Sequence, residues 1–390
     1  MKRRTRFILL QPLLLLLLFL SGCFNDESLL PPEPTNELFK RYVAIGNSIT
    51  AGYQSGGINA TLQRQSYPNL LARAMNTPFN LPLLRDPGCP PPFTNILTGE
   101  REAPEDCALR ETPPPRFINN VAVPGAKVVD VLTNFDENGG ANALTQFILG
   151  GFTQLQLAAR VHPTFVTVWI GNNDVLGAAL AGTTALVTPE DDFRAKYTAM
   201  LDSLVDMGVQ GGLLIGVANV TFAPHFSPGI AYAQVKQMGA LPPTFDVAAN
   251  CATTGATSLI PFSYAFGELL ATALQGQSVT LDCMNDPRVL TPSEVASIVQ
   301  TTQAFNTFIQ QKANDLGWAY LDPNVLLQQL KDQGAIPPFP NLANPSELFG
   351  PYLSLDGLHP STAAHRLIAQ AAAEAIDARY GTNLKAALTQ

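Results

Sequence analysis

The sequence predicts an α/β domain in which helices cover both faces of a parallel sheet. Short apolar runs recur at 42–45 (YVAI), 165–170 (FVTVWI), 213–217 (LLIGV) and 318–321 (WAYL), each followed by turn residues. A short unbroken apolar run is how a strand buried on both faces reads. Long stretches of helical period lie between these runs. Strands alternating with helices, joined by right-handed crossovers, give a three-layer α/β/α sandwich.

The helices have their own start and stop marks. Thr188-Pro189-Glu190-Asp191 supplies an N-cap, a first-turn proline and two acids beside the positive end of the helix dipole. That helix is expected to run to about Met207 and stop at Gly208. Thr291-Pro292-Ser293-Glu294 is a capping box, opening a helix expected to end near Leu316 before Gly317. The last helix is expected after His359-Pro360, with Ala363, Leu367, Ile368, Ala371 and Ala375 as its apolar stripe. Two long segments interrupt the rhythm and read as insertions, at about 78–117 and 222–290. Loops of this length inside a compact domain are usually functional or disordered. The second holds an apolar patch, SLIPFSYAFGELLATAL, which reads as a core helix slightly ahead of a lid or acyl-binding wall.

The chain opens on Lys2, Arg3, Arg4 and Arg6, then an almost unbroken apolar run from 7 to 20. That run is short for a membrane span, which needs about 20 residues, and fits an export leader over 1–22. Leu20-Ser21-Gly22-Cys23 resembles a bacterial lipobox, which implies a lipidated Cys23 and attachment to a membrane. Phe24, rather than Asp, follows the cysteine, which in a Gram-negative cell resembles outer-membrane sorting. Residues 24–38 hold three prolines and four acids and, with Cys23, read as a flexible tether. The folded domain is expected over 39–390. Removing the leader takes four of the 23 basic residues and none of the 31 acidic ones. The remainder is clearly acidic, which argues against nucleic acid as a partner.

Apart from Cys23, the cysteines are Cys89, Cys107, Cys251 and Cys283. An even count in an exported protein suggests two disulfides, with three possible pairings. The local one, 89–107 with 251–283, keeps each pair inside one irregular segment. None has C-x-x-C spacing, so a zinc or redox site is not expected. The chain contains no G-x-x-x-x-G-K-[ST], no H-E-x-x-H and no G-x-G-x-x-G after a strand.

Four short blocks carry chemistry. The first is GNSITAGY, in which Ser48 follows a buried strand through Gly46-Asn47. Only four histidines are available as a general base. His162 and His225 stand beside prolines with no carboxylate at suggestive spacing, and His365 lies on the final helix. His359 differs, because SLDGLHPS puts Asp356 three residues before it on a short loop. From there the carboxylate can reach one imidazole nitrogen and leave the other aimed at a nucleophile, the base-plus-orienter unit of a serine hydrolase. The block NNVAVPGAKVVDVL places Gly125 in a turn, where its N–H can approach a substrate oxygen unobstructed. TVWIGNNDV puts Asn173 just past a buried strand, where its amide can donate. With the Ser48 N–H, these would make a three-donor oxyanion hole.

In that order, GNSITAGY, NVAVPGAKVVDVL, GNND and DGLHPS resemble the four blocks of the SGNH hydrolases, the GDSL family of esterases and lipases. The resemblance spans nearly the whole chain beyond the leader. It implies a flavodoxin-like sheet, with Ser48 as nucleophile, Gly125 and Asn173 as oxyanion donors, Asp356 as orienter and His359 as base. No metal or organic cofactor is implied. The family usually has Asp before the nucleophile, whereas this chain has Asn47, which removes a charge and keeps a hydrogen-bonding side chain. Lys127 stands where a small hydroxyl residue is frequent, and reads as a solvated side chain. Thr50 occupies the second glycine position of G-x-S-x-G, so the nucleophile elbow of α/β-hydrolases is not matched. The expected activity is ester hydrolysis through an acyl-enzyme on Ser48 by a membrane-anchored esterase or lipase. A glycan O-deacetylase or O-acyltransferase would use the same triad. A ligand-binding lipoprotein on a degenerate hydrolase fold would be free to lose some of these five residues, and all five are present.

Overall fold

The computed structural model describes residues 32–103, 107, 110–135, 140–341, 343, 344 and 346–389. The expected leader, Cys23 and the tether through residue 31 lie outside them. Among the described residues, four parallel strands form the central sheet: β1 (Tyr42–Gly46), β2 (Phe165–Trp169), β3 (Gly211–Ile215) and β4 (Ala319–Leu321), side by side in that order. Tyr42 lies opposite Phe165, Phe165 opposite Gly211, and Leu213 opposite Ala319. On the free side of β1 runs the extended segment 119–123. There the Ala44 N–H donates to the Asn119 carbonyl, and the Val121 N–H to the Ala44 carbonyl, both at 2.9 Å. Counted along the chain, the five extended segments therefore lie in the order 2-1-3-4-5, that of a flavodoxin-like doubly wound sheet.

The helices that matter for the site are α1 (Ser48–Ala51), α2 (Tyr67–Ala74), α3 (Val128–Leu132), α4 (Gln154–Val161), α5 (Asn173–Leu180), α6 (Glu190–Asp206), α7 (Pro292–Leu316), α8 (Pro323–Asp332) and α9 (Thr362–Tyr380). Every residue of β1, β2 and β3 is buried. Tyr42, Ala44, Phe165, Trp169, Leu213 and Ile215 face α2 and α9. Val43, Ile45, Val166, Val168 and Leu214 face α3, α4, α6 and α7. Both faces are apolar because both are covered, the arrangement the unbroken runs predict. Burying a Val, Leu, Ile or Phe side chain contributes about 1.5–3 kcal/mol. A one-residue slip in a strand would exchange its two faces and refit every such contact.

Three local expectations shift. β3 begins at Gly211, two residues before its apolar run. A Cβ on Gly212 would come within 2.5 Å of the Trp318 ring, so these glycines are strand positions against which other groups pack closely. In α6 the cap position belongs to Pro189, and the Thr188 N–H donates to the Asp174 carbonyl instead. The buried stripe of α9 is Ala364, His365, Ile368, Ala369, Ala372, Ala373 and Ile376, rotated from the expected one. The capping box of α7 forms as expected, with the Thr291 N–H donating to Glu294 Oε2 at 2.9 Å. Its stop at left-handed Gly317 forms too.

Both expected disulfides are present, with Cα atoms 4.2 Å apart for Cys89–Cys107 and 5.0 Å for Cys251–Cys283. The apolar patch of the second long segment is a strand, Leu259–Pro261, then a π-helical turn, Phe262–Gly267, then a helix, Glu268–Leu274. Its Phe262 and Phe266 pack with Tyr232, Phe245, Phe339 and Phe349 in a core cluster separate from the two beside the sheet. The first part of the patch is interior, as the blander expectation held, but its last part, the only α-helix in it, buries Ala273 alone and leaves Leu274 exposed.

Candidate active site

The site is built at the carboxyl ends of the strands, where a doubly wound sheet leaves a crevice. β1 ends at Gly46, where a Cβ would fall 2.3 Å from Thr50 Oγ1 and 2.8 Å from the Trp169 carbonyl oxygen. That absence of a side chain lets the chain turn straight into α1. Asn47 caps α1 by accepting the Ile49 N–H at 3.1 Å, so the serine after it becomes the first helical residue, with its N–H free of the helix ladder. The expected departure from Asp to Asn thus keeps a capping oxygen. Ser48 is 7% exposed.

His359 Nε2 lies 2.9 Å from Ser48 Oγ, and His359 Nδ1 lies 2.8 Å from Asp356 Oδ2. A carboxylate can only accept, so Nδ1 carries the proton and Nε2 accepts the serine hydroxyl. Asp356 is held from several directions. Its Oδ1 accepts from Ser354 Oγ and from the N–H groups of Leu358 and His359, and its Oδ2 also accepts the Gly56 N–H at 2.8 Å. Burial alone would raise the Asp356 carboxyl. The adjoining His359 charge and these hydrogen bonds outweigh it and hold the carboxyl well below the usual range. The Tyr53 ring sits against the imidazole, centroids 4.8 Å apart.

Gly125 has a φ of +79° and open space where a side chain would be. The N–H groups of Ser48 and Gly125 donate to no group among the described residues. Asn173 opens α5, and its Nδ2 donates to the Ala126 carbonyl at 2.9 Å, leaving its second N–H. Ser48, Gly125, Asn173 and His359 line one cavity of about 260 Å³ with Tyr53, Pro90, Leu144, Leu176, Leu180 and Leu358. A second cavity of about 90 Å³ also reaches Ser48 and His359. Its walls include Ile49, Trp169, Leu176, Val220, Leu327 and Leu358. All five expected residues therefore meet at one place, with Ser48 and His359 brought together across 311 residues of chain.

The other histidines fall apart. His162 terminates α4 in the left-handed conformation. His365 is fully buried against Tyr67, accepting its N–H at 3.3 Å, and burial pushes its imidazole down to about 3. His225 is buried beside the site: its Nδ1 lies 2.8 Å from the main-chain oxygen of Asp356. No spacing of side chains reveals a contact to a main-chain carbonyl. Asp174 was likewise not singled out. It is fully buried, and its Oδ2 accepts the Val128 N–H at 3.0 Å, bracing the segment that carries Gly125. Burial pushes the Asp174 carboxyl up to about 7, against the opposing hydrogen bond from Val128.

Residues 42–372 match the family model of the GDSL-like lipases and acylhydrolases. The chain belongs to that family. All four blocks of this GDSL-family chain fall inside the matched range, and membership makes it an ester-hydrolysing enzyme. No curated protein matches the chain. Among solved structures, it is similar to an acetylxylan esterase from Geobacillus stearothermophilus, at 13% identity over 88% of this chain and 95% of the other, with a TM-score of 0.37. It is also similar to a protein classed as a GDSL-like lipase from Parabacteroides merdae, at 12% identity over 88% and 99% of the two chains, with a TM-score of 0.39.

Proposed function

We propose that this GDSL-family chain is a serine carboxylesterase for apolar esters, with Ser48 as nucleophile, His359 as base and Asp356 as orienter. The observation that carries the reading is the unbroken relay from Asp356 through His359 to Ser48 Oγ, opening onto two cavities whose walls are mostly apolar. Ser48 Oγ attacks the ester carbonyl as its proton passes to His359 Nε2, and Asp356 stabilises the imidazolium. The oxyanion takes hydrogen bonds from the Ser48 and Gly125 N–H groups and from Asn173. The imidazolium then protonates the departing alkoxide, leaving Ser48 acylated. Water deprotonated by His359 attacks the acyl carbonyl, and the carboxylic acid leaves as Ser48 regains its proton. Deacetylation of a glycan, or acyl transfer to one, would use the same relay. The aliphatic and aromatic walls favour an apolar ester over a hydroxyl-rich one.

The proposal extends to organisation and location. The basic residues, apolar run and Leu20-Ser21-Gly22-Cys23 stand in the order of a lipoprotein leader. On that reading 1–22 is removed, Cys23 is lipidated, 24–38 is a tether, and the hydrolase domain from 39 works at the cell envelope. In a Gram-negative cell that would be the outer membrane. The insertions within the domain remain 78–117 and 222–290.

The test is a paired assay on residues 24–390, with Cys23 left out, produced in an oxidising compartment. Hydrolysis of p-nitrophenyl esters from acetate to palmitate, beside Ser48→Ala, is expected to show turnover that the variant lacks. Turnover confined to acetylated glycans, or none on any ester, would contradict the carboxylesterase reading.

A further inference from the structure

His225 makes four hydrogen bonds that join two parts of the molecule. Its Nδ1 lies 2.8 Å from the Asp356 carbonyl oxygen, and its N–H donates to the Gly357 carbonyl at 3.0 Å. On the other side its Nε2 lies 3.2 Å from Ser263 Oγ, and its carbonyl accepts the Phe262 N–H at 2.8 Å. Asp356 and Gly357 belong to the loop that presents His359. Phe262 and Ser263 open the π-helical turn Phe262–Gly267. π-helical turns are rare and recur at functional sites.

The bonding fixes the chemical state of the ring. A carbonyl only accepts, so Nδ1 is the protonated nitrogen and Nε2 accepts the Ser263 hydroxyl. Burial lowers the His225 pKa, although the Asp356 carbonyl and carboxylate oppose it, and the nearby His359 charge adds to the lowering. The ring stays neutral and keeps one donor for Asp356. Edge contacts with Phe226 and Phe262, centroids 5.2 and 6.2 Å away, hold its plane. The loop has little freedom on its far side, because a Cβ on Gly357 would lie 2.8 Å from the Phe349 ring.

We propose that His225 is a positioning residue: it fixes the main chain at Asp356 and Gly357, and so ties the carboxylate that orients His359 to the π-helical turn of the second long segment. His365 shows the contrast. It too is buried, but its bonded nitrogen accepts the N–H of Tyr67 on α2. The inference rests on the reading of Ser48, His359 and Asp356 as the catalytic relay. A displacement of about 1 Å at a reacting group can cost on the order of 10²-fold in rate, so a side chain that never touches substrate can act on kcat.

The test compares His225→Asn, His225→Gln, His225→Ala and Ser263→Ala on a p-nitrophenyl ester, with Ser48→Ala alongside. Turnover is counted per site labelled by a fluorophosphonate, so that misfolded protein does not enter. Asn can place an amide N–H near Nδ1, whereas Gln places it near Nε2. The expected result is a fall in kcat of about ten- to a hundred-fold for Ala and Gln at nearly constant KM. Asn should recover most of that loss, and Ser263→Ala should lose less than either. Equal kcat per labelled site in all His225 variants, or Asn as impaired as Gln, would overturn the proposal. If Ala fails to fold, the Asn and Gln pair still decides. Turnover that survives Ser48→Ala would overturn the relay reading with it, whereas Ser48-dependent turnover indifferent to His225 would overturn this inference alone.

Discussion

On the relay side of Ser48, the Asp356 carboxylate accepts from Ser354, Gly56, Leu358 and His359, the last through both its main chain and its ring. On the oxyanion side, the Ser48 and Gly125 N–H groups donate to nothing among the described residues. The difference fits what the proposed mechanism asks of each side. The relay must hold one imidazole orientation through the whole reaction, and a carboxylate saturated with donors does that. Oxyanion donors are useful only if they are still unengaged when the charge develops. The loop of Gly125 is held from behind: Asn173 grips the Ala126 carbonyl and Asp174 grips the Val128 N–H.

Breaking the relay should cost most. His359→Ala is expected to lower kcat about 10⁴-fold or more, read by steady-state kinetics, because the nucleophile and its base act as one unit. The oxyanion side should cost less and show differently. Asn173→Ala should lower kcat about 10²–10³-fold with KM nearly unchanged, and a rise in KM alone would place Asn173 in substrate binding instead.

Asp174 sharpens the comparison through pH. Its folded-state pKa of about 7 lies above the ordinary 3.8, so its contribution to stability is full below about pH 4 and lost as pH rises through about 7. Urea melts between about pH 4 and 8 should lose on the order of 3 kcal/mol from this group. Asp174→Asn, which keeps an acceptor for Val128, should flatten that slope while leaving turnover within about three-fold. An unchanged slope would locate the titration elsewhere. The disulfides should give the smallest effect on turnover. Replacing Cys251 and Cys283 by Ala should cost about 2–4 kcal/mol of stability and leave kcat as it was. Replacing Cys89 and Cys107 should also alter KM, because Cys89 lines the larger cavity.

The strands and the Asp356–His359 unit were legible because they depend on local patterns, apolar runs and Asp three residues before His, whereas the pairing of that unit with Ser48, 311 residues away, was implied by the resemblance to the SGNH hydrolases. The edge segment 119–123 was not read as a strand, since its alignment with β1 is a long-range pairing with no local mark of its own. Gly211 and Gly212 fell outside the expected apolar run, because what makes small residues fit there is Trp318, Tyr380 and Leu38, all distant in sequence. His225 was invisible for a related reason. Its partner is a main-chain carbonyl 131 residues away, and every residue type carries one.

The central claim is that Ser48 is a nucleophile activated by His359. Labelling with a fluorophosphonate, followed by mass spectrometry of the peptides, tests it most directly. The account predicts one adduct, on the peptide containing Ser48, absent in Ser48→Ala and slowed by orders of magnitude in His359→Ala. An adduct on another serine, or equal labelling of Ser48 without His359, would contradict it.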